Sequence, residues 1–267
     1  MPRKLDNQFS WKNATFMAKL SKFAYSGEKE FKKVFSKQWE DITFVSKGGT
    51  ECYILTCPKN YIVVFRGTEP TEFSDVKADL LAIKRKSKTE GRVHMGFKLE
   101  LRKLWPDISA ILKNKKQRIW ICGHSLGGAM ATLCASRLEE LQPTLYTYGS
   151  PRVGGSEWRD GCDVEHYRFV NNNDIVPAVP LWLMGYRHHG TVRYIDYYGR
   201  IKRMTFGQKV KDQLLGRWKA ITKFQLFDGI YDHDIAGGYA DKLQALWFEG
   251  REKIRKRANV GHDRKNV

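Results

Sequence analysis

The chain has 267 residues, 42% of them hydrophobic and 13% aromatic, enough to bury one sizeable core and too apolar for a disordered protein. A formal net charge of +18 favours anionic surfaces, yet neither zinc-finger spacing nor an RNP-like aromatic motif accompanies it, so no nucleic acid is expected as a partner. No apolar run approaches the length of a membrane span, MPRKLDNQFSWKNATFMAKL lacks the apolar core of a signal peptide, and five scattered cysteines outline no disulfide framework. A cytoplasmic or peripheral membrane location is the expectation from these features.

In chain order, the first strong element is YIVVFRGTEP, whose apolar, β-branched start predicts a strand over 61–65. Beyond it, Phe73, Val76, Leu80 and Ile83 fall near helical spacing. RIWIC, 118–122, predicts a buried strand, and LGGAMATLCASRLEELQP after it has the period of a helix that ends before Pro143. Between the two stands GHSLG. Strand, Gly-x-Ser-x-Gly and helix together predict a nucleophile elbow, in which a sharp turn lifts the Ser125 hydroxyl above the sheet. Small residues two places before and after leave room for that turn. The helix N-terminus behind it offers unpaired N–H groups and a positive dipole end to a developing oxyanion.

A nucleophile of this kind takes its acid, then its base, from later in the chain. After a strand at 144–148, YRFVNNNDIVPAVP predicts another at 167–170, with Asp174 in the loop at its carboxyl end, where catalytic groups of open α/β sheets sit. Four histidines follow. His262 lies in a polar tail. His188 and His189 precede a strand at 191–197, and His233 lies on a loop before a helix-like segment starting near Ile235. Position favours His233 and leaves His188 and His189 open. Acid–base and nucleophilic chemistry of this type needs no metal and no cofactor. Between that strand and His233, Val210, Leu214, Trp218, Ile221 and Phe224 share one helical face among many lysines and arginines, a pattern shared by interfacial helices and by helices packed across a domain.

VVFRGT at 63–68, VHMGF at 93–97, GHSLGGAMATL at 123–133, YTYGSPRVGG at 146–155, YRFVNNNDIVPAVP at 167–180 and DHDIAGGY at 232–239 together resemble the class 3 lipases, the fungal triacylglycerol lipase-like branch of the α/β-hydrolases. The resemblance runs from about Ala14 to Tyr239. It implies an α/β-hydrolase fold, with a mixed, mainly parallel central sheet and helices on both faces. It implies Ser125 as nucleophile, Asp174 as acid and His233 as base, with an oxyanion hole from the backbone N–H groups of Thr68 and Leu126. Arg66, His94, Tyr148, Arg152 and the 188–189 pair then read as structural, and His124 as a packing residue. A single domain over 1–250 is expected, with a lid-like segment at 70–92, a basic insert at 200–230 and a basic tail at 251–267. The activity so implied is serine carboxylic-ester hydrolysis of acyl lipids (mono-, di- or triacylglycerols, or phospholipids at the A1 position) through an acyl-enzyme. A soluble short-chain esterase and a non-catalytic lipid-binding or scaffold protein are the alternatives. An acyl lipid is the expected substrate, and peripheral association with an anionic membrane the expected partnership.

Overall fold

The computed structural model describes residues 5–67, 83–202, 233–250 and 252. Its first helix, α1 (Trp11–Phe23), begins where Ser10 accepts a hydrogen bond from the Asn13 N–H at 3.1 Å. Phe16, Met17 and Leu20 of α1 are buried, and α2 (Gly27–Phe35) buries Phe31 and Phe35, one turn apart.

Three strands then form an antiparallel meander: β1 (Asp41–Lys47), β2 (Thr50–Cys57) and β3 (Asn60–Phe65). A small separate hairpin follows, β4 (Lys84–Lys86) against β5 (Arg92–His94). The main sheet continues with β6 (Arg118–His124), β7 (Thr144–Tyr148), β8 (Glu165–Asn171) and β9 (Thr191–Ile195), and closes with β10 (Ile201–Lys202). The eight-stranded order is β1-β2-β3-β6-β7-β8-β9-β10. From β3 to β9 every neighbouring pair is parallel, and β9/β10 is antiparallel. This is the mixed, mainly parallel sheet of an α/β-hydrolase fold.

Helices cover both faces, so the middle strands are apolar on both sides. One core packs α1, α2 and the π-helical turn Ile235–Ala240 against Ile62, Val64, Trp120 and Phe169. The other packs α3 (Met95–Leu112) and α4 (Leu126–Arg137) against Val63, Phe65, Ile119 and Ile121. In α3 the buried residues Phe97, Leu101, Leu104, Ile108 and Leu112 follow the helical period. α4 is buried almost all round, which its glycines and alanines permit by bringing its backbone close to the sheet.

Two expectations change in detail. The strand at 191–197 ends at Ile195, because the Asp196 carboxylate accepts the N–H groups of Tyr198 and Arg200 and turns the chain into β10. The last part of the 70–92 segment is the β4–β5 hairpin, while its helical stretch up to 82 lies outside the described residues. So does the basic insert beyond Lys202 up to residue 232, with the face built on Trp218, and so does nearly all of the tail. All five cysteines are buried free thiols. Cys52 and Cys57 cannot pair, since an odd separation on β2 sends them into opposite cores.

Candidate active site

Parallel pairing sets the site at the carboxyl ends of β3, β6, β7 and β8. β6 ends at His124 and α4 begins at Leu126, leaving Ser125 to make the whole turn. Its backbone sits at φ 55° and ψ −128°, a conformation that L-residues avoid unless the surroundings enforce it. The Ser125 N–H is held by the Tyr148 carbonyl of β7 at 3.0 Å. The glycines on either side answer to close approach. A Cβ on Gly123 would stand 2.4 Å from the Gly127 carbonyl oxygen, and one on Gly127 would stand 2.5 Å from that of Phe65.

Asp174 lies in the turn after β8, with its N–H bonded to the Asn171 carbonyl at 2.9 Å. Its Oδ1 accepts the Val176 N–H at 2.9 Å, and its Oδ2 accepts the Tyr239 hydroxyl. His233 comes to it from the far end of the chain. The His233 Nδ1–H stands 3.0 Å from both carboxylate oxygens, so Nε2 is the bare nitrogen, and it faces the Ser125 hydroxyl at 2.9 Å. All three residues are buried. This arrangement can pass a proton from the serine to the imidazole and hold the resulting cation against a carboxylate.

Two residues behind His233 escaped the sequence reading. His124 carries more than packing: its Nε2–H donates to the His233 carbonyl at 2.6 Å, and its Nδ1 accepts from the Tyr25 hydroxyl at 2.8 Å. A carbonyl can only accept, so Nε2 carries the proton, and in the neutral ring Nδ1 is the acceptor. Burial pushes its pKa well below the usual histidine value, in keeping with that state. Tyr239 donates to Asp174 and accepts the Asn171 N–H at 3.0 Å, tying the carboxylate to the strand that carries it. Gly149, at φ +56°, passes so close that a Cβ would lie 2.7 Å from Asp174 Oδ2 and 2.9 Å from His233 Nδ1. Its place in YGSP, at the end of a strand beside the elbow, was a signal that could have marked it.

The competing histidines are engaged elsewhere. His188 Nε2 donates to the Pro177 carbonyl at 2.7 Å, and His189 Nε2 to that of Cys162 at 2.9 Å. Burial, then the cations of Arg168 and Arg152, keep His188 well below the usual value. Arg152 braces the segment after Asp174 through the carbonyls of Ala178 and Pro180, and Arg66 pairs with Glu51 at 3.1 Å. Leu126 is the first residue of α4, whose N–H has no acceptor within its own helix. Thr68 lies outside the described residues. The chain is followed to Gly67, where a Cβ would stand 3.3 Å from that of Ser125. The segment that starts at Asp174 ends in Leu181, Trp182, Leu183 and Met184, which are 51%, 59%, 73% and 49% exposed. Among the described residues no group of three or more His, Cys, Asp or Glu could hold a metal.

A serine on a strained strand-to-helix turn, hydrogen-bonded through a histidine to a carboxylate at the end of a neighbouring strand, defines an α/β-hydrolase-type protein. The family profile of the class 3 lipases matches residues 62–184. A secreted mono- and diacylglycerol lipase of Fusarium solani is 36% identical over 118 residues, covering 39% of this chain and 34% of that protein. A lipase of Rhizomucor miehei is 29% identical over 179 residues, 60% of this chain and 47% of that protein. The chain thus spans between a third and a half of these relatives. The crystal structure of a lipase from Rhizopus microsporus var. chinensis superposes with a TM-score of 0.59 at 27% identity, covering 69% of this chain and 74% of that one. Family profile, relatives and solved structure all point to the class 3 lipase family. The expected cytoplasmic location does not stand: relatives from Fusarium solani and Penicillium are named as secreted lipases, and nothing in the comparisons supports a cytoplasmic protein. No helix among the described residues is long and apolar enough to cross a membrane.

Proposed function

We propose that the protein is a serine carboxylic-ester hydrolase that cleaves acyl lipids, either acylglycerols or phospholipids at the A1 position. The observation that carries this reading is the unbroken line of hydrogen bonds from Ser125 Oγ through His233 to Asp174. In the first half-reaction Ser125 Oγ attacks the acyl carbonyl carbon as His233 Nε2 takes the hydroxyl proton. Asp174 stabilises the imidazolium, and the backbone N–H groups of Leu126 and Thr68 receive the oxyanion. Collapse returns the proton to the departing glyceryl oxygen and leaves an acyl-serine. Water, deprotonated by the same imidazole, then releases the fatty acid.

The exposed apolar run Leu181–Met184, only seven positions beyond Asp174, favours a lipid over a small soluble ester. The names of the Fusarium and Rhizomucor relatives point the same way. We read residues 1–250 as one catalytic unit with its lid before Ile83 and the basic insert before His233, and the surplus of cations as holding it against an anionic lipid surface. Labelling with a fluorophosphonate, followed by fatty-acid release from dioctanoylglycerol, dioctanoylphosphatidylcholine and a butyrate ester, tests this. Labelling of the wild type but not of Ser125→Ala, with the lipids cleaved fastest, is expected. No labelling would leave a lipid-binding or scaffold protein, and butyrate hydrolysis alone would leave a short-chain esterase.

A further inference from the structure

On the α3–α4 side of the molecule, behind the β4–β5 hairpin, lies a groove of about 860 Å³. Five cations line it: Arg85 and Lys88 from the hairpin, Lys98 and Arg102 from α3, and Arg137 from the end of α4. No carboxylate lines it. Among the described residues none of the five takes part in an ion pair. The Lys98 ammonium donates to the Lys86 carbonyl at 2.8 Å, which fixes its stem across the groove. The Arg137 guanidinium lies 4.9 Å over the Trp105 ring, which orients it and leaves its edges free to donate. The pKa of Lys98 is lowered, by partial burial first and then by Lys88, Arg137, Arg102 and Arg85, as expected where like charges converge. Such repulsion is a standing cost to the fold that an anion would remove. The wall between the cations is apolar, made by Met95, Leu99 and Trp105, with Leu99 45% exposed.

We propose that this groove binds the phosphate headgroup of an anionic lipid, its cations holding the phosphate and its apolar wall holding the glycerol and upper acyl segment. Guanidinium pairs suit phosphate oxygens, and a wall of Met, Leu and Trp suits an amphiphile better than a free phosphate. The groove shares no residue with the Ser125 site, so a lipid held here positions the enzyme on its surface without occupying the catalytic serine. The choice of a lipid rests on the acyl-lipid reading above, whereas binding itself does not depend on catalysis.

Ser125→Ala protein, which leaves the lipid intact, is titrated with soluble dihexanoylphosphatidic acid, with inorganic phosphate, and with vesicles of phosphatidylcholine with and without phosphatidylglycerol. The same is done after adding Arg85→Gln and Arg102→Gln, both exposed positions, and after a charge-matched control, Lys29→Gln with Lys37→Gln, on and just after α2. Near an anionic surface each cation contributes about 1 kcal/mol, so the groove pair should weaken binding about thirtyfold. The control pair should change it less than threefold. Binding of the phosphatidic acid and of anionic vesicles, lost in the groove variant only, is the expected result. Equal losses in both variants would show that overall charge, and not the groove, attracts the lipid. Equal affinity for inorganic phosphate would make it a free-phosphate site, and absence of binding to any probe would overturn it outright. Fluorophosphonate labelling of the Arg85→Gln/Arg102→Gln variant with Ser125 intact tells a failed groove from a failed catalytic reading.

Discussion

Replacing His124 by phenylalanine keeps a ring between Tyr25 and His233 but removes the Nε2–H that donates to the His233 carbonyl at 2.6 Å. The two imidazole rings lie 4.6 Å apart, so the packing is largely preserved and the hydrogen bond is the main loss. A buried carbonyl left without its donor costs about 1–3 kcal/mol. His233 can recover part of that only by shifting its backbone, which draws Nε2 away from Ser125 Oγ. If the whole cost falls on the transition state, kcat drops about 5- to 150-fold. Removing a triad member outright removes orders of magnitude more, roughly 10⁴–10⁶ in a comparable serine hydrolase. The expected signature is therefore an intermediate fall in kcat for a soluble butyrate ester with KM little changed. Fluorophosphonate labelling should slow by a similar factor. His124→Gln, which keeps an N–H donor near the same place, should recover part of the rate while His124→Phe does not. A His124→Phe protein with normal kcat, or a His124→Gln protein no faster than it, would refute the positioning role.

Ser125→Ala, Asp174→Ala and His233→Ala should each remove nearly all esterase activity while the far-ultraviolet spectrum stays unchanged, and double variants should be little slower than the worse single one, because the three act as a unit. Gly149→Ala should disable the enzyme from outside the triad, since its Cβ would fall 2.7 Å from Asp174 Oδ2; labelling at wild-type rate would contradict this. Stability should fall with acidification. Burial lowers His94 to about 4 and holds His124, His166 and His188 below the usual value, so the unfolded chain binds protons that the folded one refuses. The stability so contributed is present above the ordinary histidine pKa and is lost as pH drops from about 6.5 towards 4, with His94 accounting for about 3 kcal/mol at most. Urea midpoints at pH 7.5 and 4.5 measure it, and a His94→Phe protein should show the shallower dependence.

What could be read from the sequence was chemistry confined to a few adjacent residues. Gly-x-Ser-x-Gly encodes its own turn, because the glycines at 123 and 127 are demanded by atoms of that turn and of the strand beside it. Asp174 was legible because a strand of apolar residues ends just before it, and parallel pairing brings strand ends together. The base was harder. His188, His189 and His233 differ little in local context, and what separates them is which carbonyls they meet: Pro177 and Cys162 take up the first two. That information belongs to the tertiary structure. The same holds for the layer behind the triad. Tyr25 stands 99 residues before the His124 it supports, and Tyr239 stands 65 after the carboxylate it holds. A nucleophile can be specified by its own turn, whereas a base and an acid must be held by bonds reaching from the turn after α1, from β6 and from the C-terminal turn. The residues making those bonds are ordinary tyrosines and a histidine until the sheet assembles them around the three residues that a motif reveals.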